Sequence, residues 1–185
     1  MASSQGFGSW RHLAGRFFAA LSPAGPRPED EAWAVGSLLE GEQRLWWRMS
    51  GPDRRHAVSV ARDTVRLLSP DAPPPEVVAA ALLHDVGKVE SSLGTFARVG
   101  VTLAALAVGR ARLLRWTGPV PRQGHPSRRS RIGMYLAHDQ LGAQLLEAAG
   151  SRTLTVSWAN EHHLGPARWT VDGRFGAALK AADGD

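Results

Sequence analysis

Residues 75–88 read PEVVAAALLHDVGK, and this stretch decides the fold. The pattern predicts a helix over 76–85 that is apolar nearly all round, through Val77, Val78, Ala79, Ala80, Ala81, Leu82 and Leu83. A helix without a polar face belongs at the centre of a helical protein. Gly87 ends it, so His84, Asp85 and Lys88 stand at the end of a buried helix, where polar groups are costly unless they serve each other or a ligand. Adjacent helical residues point about 100° apart. His84 and Asp85 therefore address two sides of one site, a geometry suited to one imidazole ligand and one bridging carboxylate. Gly87 permits a sharp turn that brings the Lys88 ammonium toward an anion held there.

Further helices surround this one. A first start is marked by Pro28, Glu29, Asp30 and Glu31, whose charges suit the positive end of a helix. Helical periodicity runs on through Trp33, Val35, Leu38, Leu39, Leu45 and Trp46, stops near Gly51 and Pro52, and resumes over 53–68 with Val58, Ala61, Val65 and Leu68 inward. After a break at 70–75 and the central helix come an apolar, basic helix over 95–116, a Pro/Gly/Arg loop over 118–129, and helices near 131–149, 152–163 and 174–182. Nothing alternates like a strand beyond Val120 and the stretch 169–171, and one two-stranded ribbon is marginal. The expected fold is all-α and a single domain. Residues 1–27 read as a flexible N-terminal segment with a Pro/Gly/Ser-rich linker at 21–27, and 28–185 as the helical domain with a basic insertion at about 95–130. Trp10, Trp33, Trp46, Trp47 and Trp158 are expected in the core.

With 185 residues, 43% hydrophobic and 21% charged, the chain has ordinary globular usage and enough length for a real core. It has no cysteine, so a metal would see only nitrogen and oxygen ligands. The net charge of +5 comes almost wholly from arginine, since Lys88 and Lys180 are the only lysines. Seven arginines fall between Arg110 and Arg131, which favours phosphate-bearing partners. No uncharged apolar run approaches the roughly 20 residues of a spanning helix. The apolar run near the N-terminus is interrupted by Arg16, unlike a signal peptide. A cytoplasmic location is expected.

Five of the seven histidines lie beside apolar helical positions: His56, His84, His138, His162 and His163. Converging them on a cation offsets the cost of burying imidazoles and supplies ligands that borderline metals prefer. His12 and His125 sit in loop-like contexts outside this pattern. Asp139 and Glu161 read as helix-surface carboxylates.

In these motifs the chain resembles the HD superfamily of metal-dependent phosphohydrolases, over about residues 53–183. The family's first histidine matches His56 in DRRHAVSVA, its paired residues match His84 and Asp85, and its closing aspartate matches Asp183 in LKAAD. The additional histidines of the two-metal branch match His138 in YLAHDQLGAQLLEAAG and the pair His162 and His163 in WANEHHLGP. The resemblance implies an HD-type helical bundle with a metal site of His56, His84, Asp85, His138, His162, His163 and Asp183 in its core. Leu164 follows the paired histidines where a glutamate is common, and the Gly-Tyr-Pro signature of cyclic-di-GMP enzymes is absent, so that substrate is not implied.

The implied function is hydrolysis of a phosphomonoester or phosphodiester of a nucleotide-like small molecule by a metal-activated water. Asp85 and Lys88 carry the chemistry, and Lys88, Arg54 and Arg55 contact phosphate. The cofactor is one or two divalent ions, iron or manganese ahead of nickel or zinc. One of His162 and His163 has a supporting role as its alternative, and Asp172 and Asp185 are alternatives to Asp183. Two other functions fit the same ligands: a di-iron oxygenase, and a non-catalytic nucleotide-binding regulatory module. Small nucleotides rank ahead of nucleic acid as partners because no nucleic-acid-binding motif accompanies the basic stretch. The helix over 95–116 has the composition of one that packs on the core or lies on an anionic membrane surface.

Overall fold

The structure is a computed structural model that describes residues 24–117 and 126–184. Ten α-helices and two 3-10 turns make up the regular structure of these residues, with no strand among them. The all-α expectation holds. No strand forms at 169–171, where Trp169 packs its ring edge-on against Trp158 at 5.5 Å, and Val120 lies outside the described residues. So do residues 1–23 of the expected flexible segment and most of the loop over 118–129.

Helix α1 (Pro28–Gly36) begins with Pro28 and three acidic residues. The continuous run expected through Trp46 is interrupted, because the Ser37 hydroxyl donates to the Trp33 carbonyl and the Gln43 amide donates to the Val35 and Leu38 carbonyls. These side-chain bonds supply ends where helical hydrogen bonds stop. Helix α2 (Glu40–Trp46) then starts with Glu42 accepting from the Leu39 amide at 2.8 Å. Helix α3 (Gly51–Leu68) is capped by Ser50 and buries Ala57, Val58, Val60, Ala61, Thr64 and Leu68.

Helix α4 (Pro75–Leu83) is buried along its length from Val77 to Leu83. It packs against α3 on one side and α9 (Thr153–Glu161) on the other, with α10 (Gly173–Asp183) lying against α3. Trp46, Trp158, Leu82, Leu83, Leu146 and Leu179 fill the core. Each such side chain contributes about 1.5–3 kcal/mol by leaving water. Trp47 departs from expectation and is 54% exposed, with the Arg54 guanidinium 5.3 Å from its ring. Trp33 is only partly buried and lies under Arg62 at 3.7 Å. Trp10 lies outside the described residues.

Two of the expected long helices are each broken in the middle. The one over 95–116 divides into α5 (Thr95–Val108) and α6 (Arg110–Thr117) at Gly109, whose φ of +88° favours glycine. The one over 131–149 divides into α7 (Arg128–Leu136) and α8 (His138–Ala148) at Ala137, at φ −103° and ψ 19°. The central helix also stops early: α4 ends at Leu83, and the chain passes through Asp85 into a 3-10 turn, Val86–Ser91, that packs against α7 and α8. No helix among the described residues is long and apolar enough to cross a membrane.

Candidate metal centre

Three histidines of the site share one local device. His84 follows the last residue of α4, His162 follows the last residue of α9, and His138 follows the break after α7. Carbonyls in the last turn of a helix have no helical partner. In each case the histidine Nδ1 meets the carbonyl three residues back: Ala81 at 2.9 Å, Ala159 at 2.9 Å and Tyr135 at 2.7 Å. A carbonyl only accepts, so Nδ1 carries the proton, and in the neutral ring Nε2 is left with its lone pair. All three imidazoles thereby present Nε2 as a ligand atom, as outer-shell bonds to metal-binding histidines commonly arrange.

The ligand atoms form two groups. His56, His84 and Asp183 make one, and His138, His162 and His163 the other, with the donor atoms of each group within 4.8 Å of one another. Asp85 joins them. Its Oδ1 lies 3.2 Å from His138 Nε2 and 3.9 Å from His162 Nε2, while its Oδ2 lies 3.4 Å from His84 Nε2. One carboxylate oxygen thus faces each group. Asp183 closes the first group, with Oδ1 3.0 Å from His56 Nε2 and 3.7 Å from His84 Nε2. It is buried at the last position of α10, so it is part of the helix rather than of a frayed end. Asp172 instead caps that helix, accepting from the amides of Arg174 and Phe175. Asp185 lies outside the described residues.

A metal fits this donor set on two observations. His162 Nε2 is buried and has no hydrogen-bond partner, a condition that costs about 1–3 kcal/mol when it is not offset. His163 Nε2 lies 3.1 Å from His138 Nε2. Two nitrogens bound at about 2.1 Å to one ion, at right angles, sit about 3 Å apart. The identity of such an ion is not fixed by this geometry, though nitrogen and carboxylate donors suit first-row transition metals.

The electrostatics are polarised. Burial works against charge on Asp85, but the Lys88 ammonium and His84 outweigh it and hold the carboxyl well below its usual range. Lys88 donates to Asp85 Oδ2 in a short contact; burial opposes its charge, yet Asp85 keeps it protonated. His84 is likewise disfavoured as a cation by burial, and Asp85 and Asp183 together push it up to about 9. His162 shifts the other way, well below normal, through burial and the neighbouring His84 and His163. His163 is exposed at its outer edge, but burial of the rest of its ring and the adjacent His138 lower it to about 4. Asp183 is held low despite burial, chiefly by its bond to His56.

The sequence-derived ligands therefore meet in one place, and Lys88 joins them. Arg54 and Arg55 are engaged elsewhere. Arg54 Nε is 3.1 Å from Glu31 and its Nη1 donates to the Met49 carbonyl, while Arg55 donates to the Ala24 carbonyl. Gly87 also has a different purpose from the expected sharp turn. It lies within the 3-10 turn, where a β-carbon would fall 1.9 Å from the His138 carbonyl oxygen and 2.6 Å from the Gly142 amide.

No protein-family model matches this chain, and no curated protein and no solved structure gives a significant match.

Several supporting residues escaped the sequence reading. Asp139 and Glu161 are buried rather than on the surface. Asp139 accepts from Arg110 at 2.7 Å, and Arg110 Nε also donates to the Leu136 carbonyl at 2.8 Å, which secures the break ahead of His138. Glu161 accepts from the Thr170 amide at 2.7 Å and its hydroxyl at 2.6 Å, anchoring the loop after the paired histidines. Lys180 donates to the His162 carbonyl at 2.8 Å, so α10 carries both this clamp and Asp183. A buried charge needs a partner, but nothing in the local pattern names which distant residue supplies it.

Proposed function

We propose that this protein is a metal-dependent phosphohydrolase of the HD type, acting on a phosphomonoester or phosphodiester of a nucleotide-like small molecule. The observation that carries the reading is Asp85: its two oxygens face two separate three-ligand groups, the arrangement expected of a carboxylate shared between two cations. His56, His84, Asp183 and Asp85 would hold one ion, and His138, His162, His163 and Asp85 the other. Divalent ions bound there supply a water of lowered pKa as nucleophile and positive charge for the phosphoryl oxygens.

The chain's own residues have separable parts in this reading. The backbone carbonyls of Ala81, Tyr135 and Ala159 hold three imidazoles in the ligating tautomer. Lys88 keeps its proton and places a fixed positive charge beside Asp85, suited to a phosphoryl oxygen. His163, exposed at its outer edge, marks a side from which substrate reaches the centre. Arg54 and Arg55 are committed to neighbouring groups and are not assigned to substrate.

The test is a hydrolysis screen of aryl phosphomonoesters, aryl phosphodiesters, nucleotides and cyclic dinucleotides with protein loaded with Fe(II), Mn(II), Ni(II) or Zn(II), run under nitrogen and in air. Turnover with a loaded metal that proceeds equally without oxygen supports the proposal. Turnover only in air indicates an oxygenase. Nucleotide binding without turnover by any loaded form indicates a regulatory module.

A further inference from the structure

Charge in this chain is unevenly distributed along the sequence. Residues 91–138 contain eight arginines and no acidic residue, while the other positions hold 14 basic and 17 acidic residues. Helices α5 and α6 lie within this stretch and expose apolar side chains: Leu106 is 79% exposed, Leu103 61% and Trp116 52%. Between α5, α6 and α7 runs an open groove of about 640 Å³, lined by Ala97, Val101, Ala104, Leu113, Trp116 and Ile132 and edged by Arg128 and Arg131. The Arg129 guanidinium lies 4.8 Å from the Trp116 ring. Arg98 and Arg110 are paired with Asp53 and Asp139. Among the described residues no carboxylate pairs with Arg112, Arg115, Arg128, Arg129 or Arg131, and the first four of these are exposed.

We propose that the α5–α6 segment is a docking surface for an anionic lipid bilayer, with Leu103, Leu106 and Trp116 entering the interface and the surrounding arginines meeting lipid phosphates. Apolar residues exposed among basic ones are the composition of an interfacial helix, and each arginine near an anionic surface adds to the attraction. A second copy of this chain is disfavoured as occupant, because two such faces would oppose like charge. Residues 1–23 are disfavoured on the same ground, since they contain Arg11 and Arg16 and no acidic residue. Nucleic acid would satisfy the arginines but not Leu103 and Leu106. This inference does not depend on the metal centre.

The test is co-sedimentation of the full chain with vesicles of phosphatidylcholine alone and of phosphatidylcholine mixed with phosphatidylglycerol, at low and high salt. The expected result is partitioning onto the mixed vesicles only, weakened by salt. Leu106→Asp should reduce that partitioning by about ten-fold or more, and Arg112→Ser with Arg115→Ser by a similar factor. Circular dichroism melts superimposable on the parent confirm that these exposed substitutions leave the fold intact. Three results overturn the proposal: no partitioning onto the mixed vesicles; partitioning unchanged by Leu106→Asp; or a dimer in solution that Leu106→Asp dissociates. Oligonucleotide binding that exceeds vesicle binding and survives Leu106→Asp assigns the surface to nucleic acid and overturns it as well.

Discussion

Gly87 packs on His138 so closely that a β-carbon at residue 87 would lie 1.9 Å from the His138 carbonyl oxygen. The 3-10 turn carrying Lys88 and the start of α8 carrying His138 are therefore in backbone contact. Glycine is needed because any side chain would push the two ligand groups apart. Gly87→Ala is expected to destabilise the protein by about 1–3 kcal/mol, as overpacking does, and to weaken metal binding. Thermal unfolding and metal titration of the variant check both effects.

His162 offers a way to separate ligation from structure. Its Nε2 is buried without a partner, while its Nδ1 meets the Ala159 carbonyl at 2.9 Å. His162→Leu removes an unsatisfied atom and a hydrogen bond together, terms of about 1 kcal/mol each that oppose one another. The metal-free variant should melt within a few degrees of the parent. The rise in melting temperature that bound metal gives the parent should be largely lost. An undiminished rise would remove His162 from the ligand set.

Proton competition sets the pH dependence of binding. His84 must lose its proton to ligate, and without metal it is raised to about 9. Metal affinity should therefore increase as pH rises toward 9, by about ten-fold per unit. His163, lowered to about 4, is already proton-free near neutrality and adds no slope there. Titration calorimetry in buffers of different ionisation enthalpy should detect about one proton released per chain near neutral pH.

The same shifts govern the stability of the metal-free protein. His84 is raised from 6.5 to about 9, so its contribution is complete below 6.5 and disappears as pH climbs through 9. His163 is lowered from 6.5 to about 4, so its contribution is complete above 6.5 and disappears as pH falls through 4. His162 acts in the same sense as His163, and the lowered Asp85 and Asp183 add further loss in acid. Melting temperature without metal should therefore peak near pH 6.5 and fall on both sides. A profile that keeps rising to pH 9 would contradict the His84 environment.

Arg110 bridges the Leu136 carbonyl and the buried Asp139 across the break between α7 and α8. Removing it leaves a buried carboxylate without its cation. Arg110→Ala should lower stability by about 1–3 kcal/mol, discounted for the partial exposure of the arginine, and should weaken binding at the His138 group more than at the His56 group. Denaturant unfolding and stepwise metal titration distinguish the two effects.

The convergence of the histidines was legible because they stand at the ends of apolar helical runs, as in LLHD and LAHD, where imidazoles have no reason to be buried singly. The all-α fold was legible from the periodicity of the same runs. The break that positions His138 was not: residues 131–149 carry a continuous helical pattern without proline at Ala137, and the bond that terminates α7 comes from Arg110, 26 residues earlier. Burial of Asp139 and Glu161 was hidden for the same reason, since Arg110 and Thr170 reach them through the tertiary fold. Arg54 and Arg55 flank His56 in sequence, but their partners Glu31 and the Ala24 carbonyl come from earlier in the chain and were not legible beside it. Trp47 is apolar in type but lies on the outward side of its turn.

The most direct measurement is metal content per chain by elemental analysis, on protein purified without chelator and reconstituted with Fe(II) or Mn(II), beside the Asp85→Ala variant. The expected result is about two equivalents in the parent, as two three-ligand groups sharing Asp85 would hold, with a marked loss in the variant. A parent chain that retains no ion after reconstitution with iron, manganese, nickel or zinc would contradict the metal centre and the hydrolytic function proposed from it.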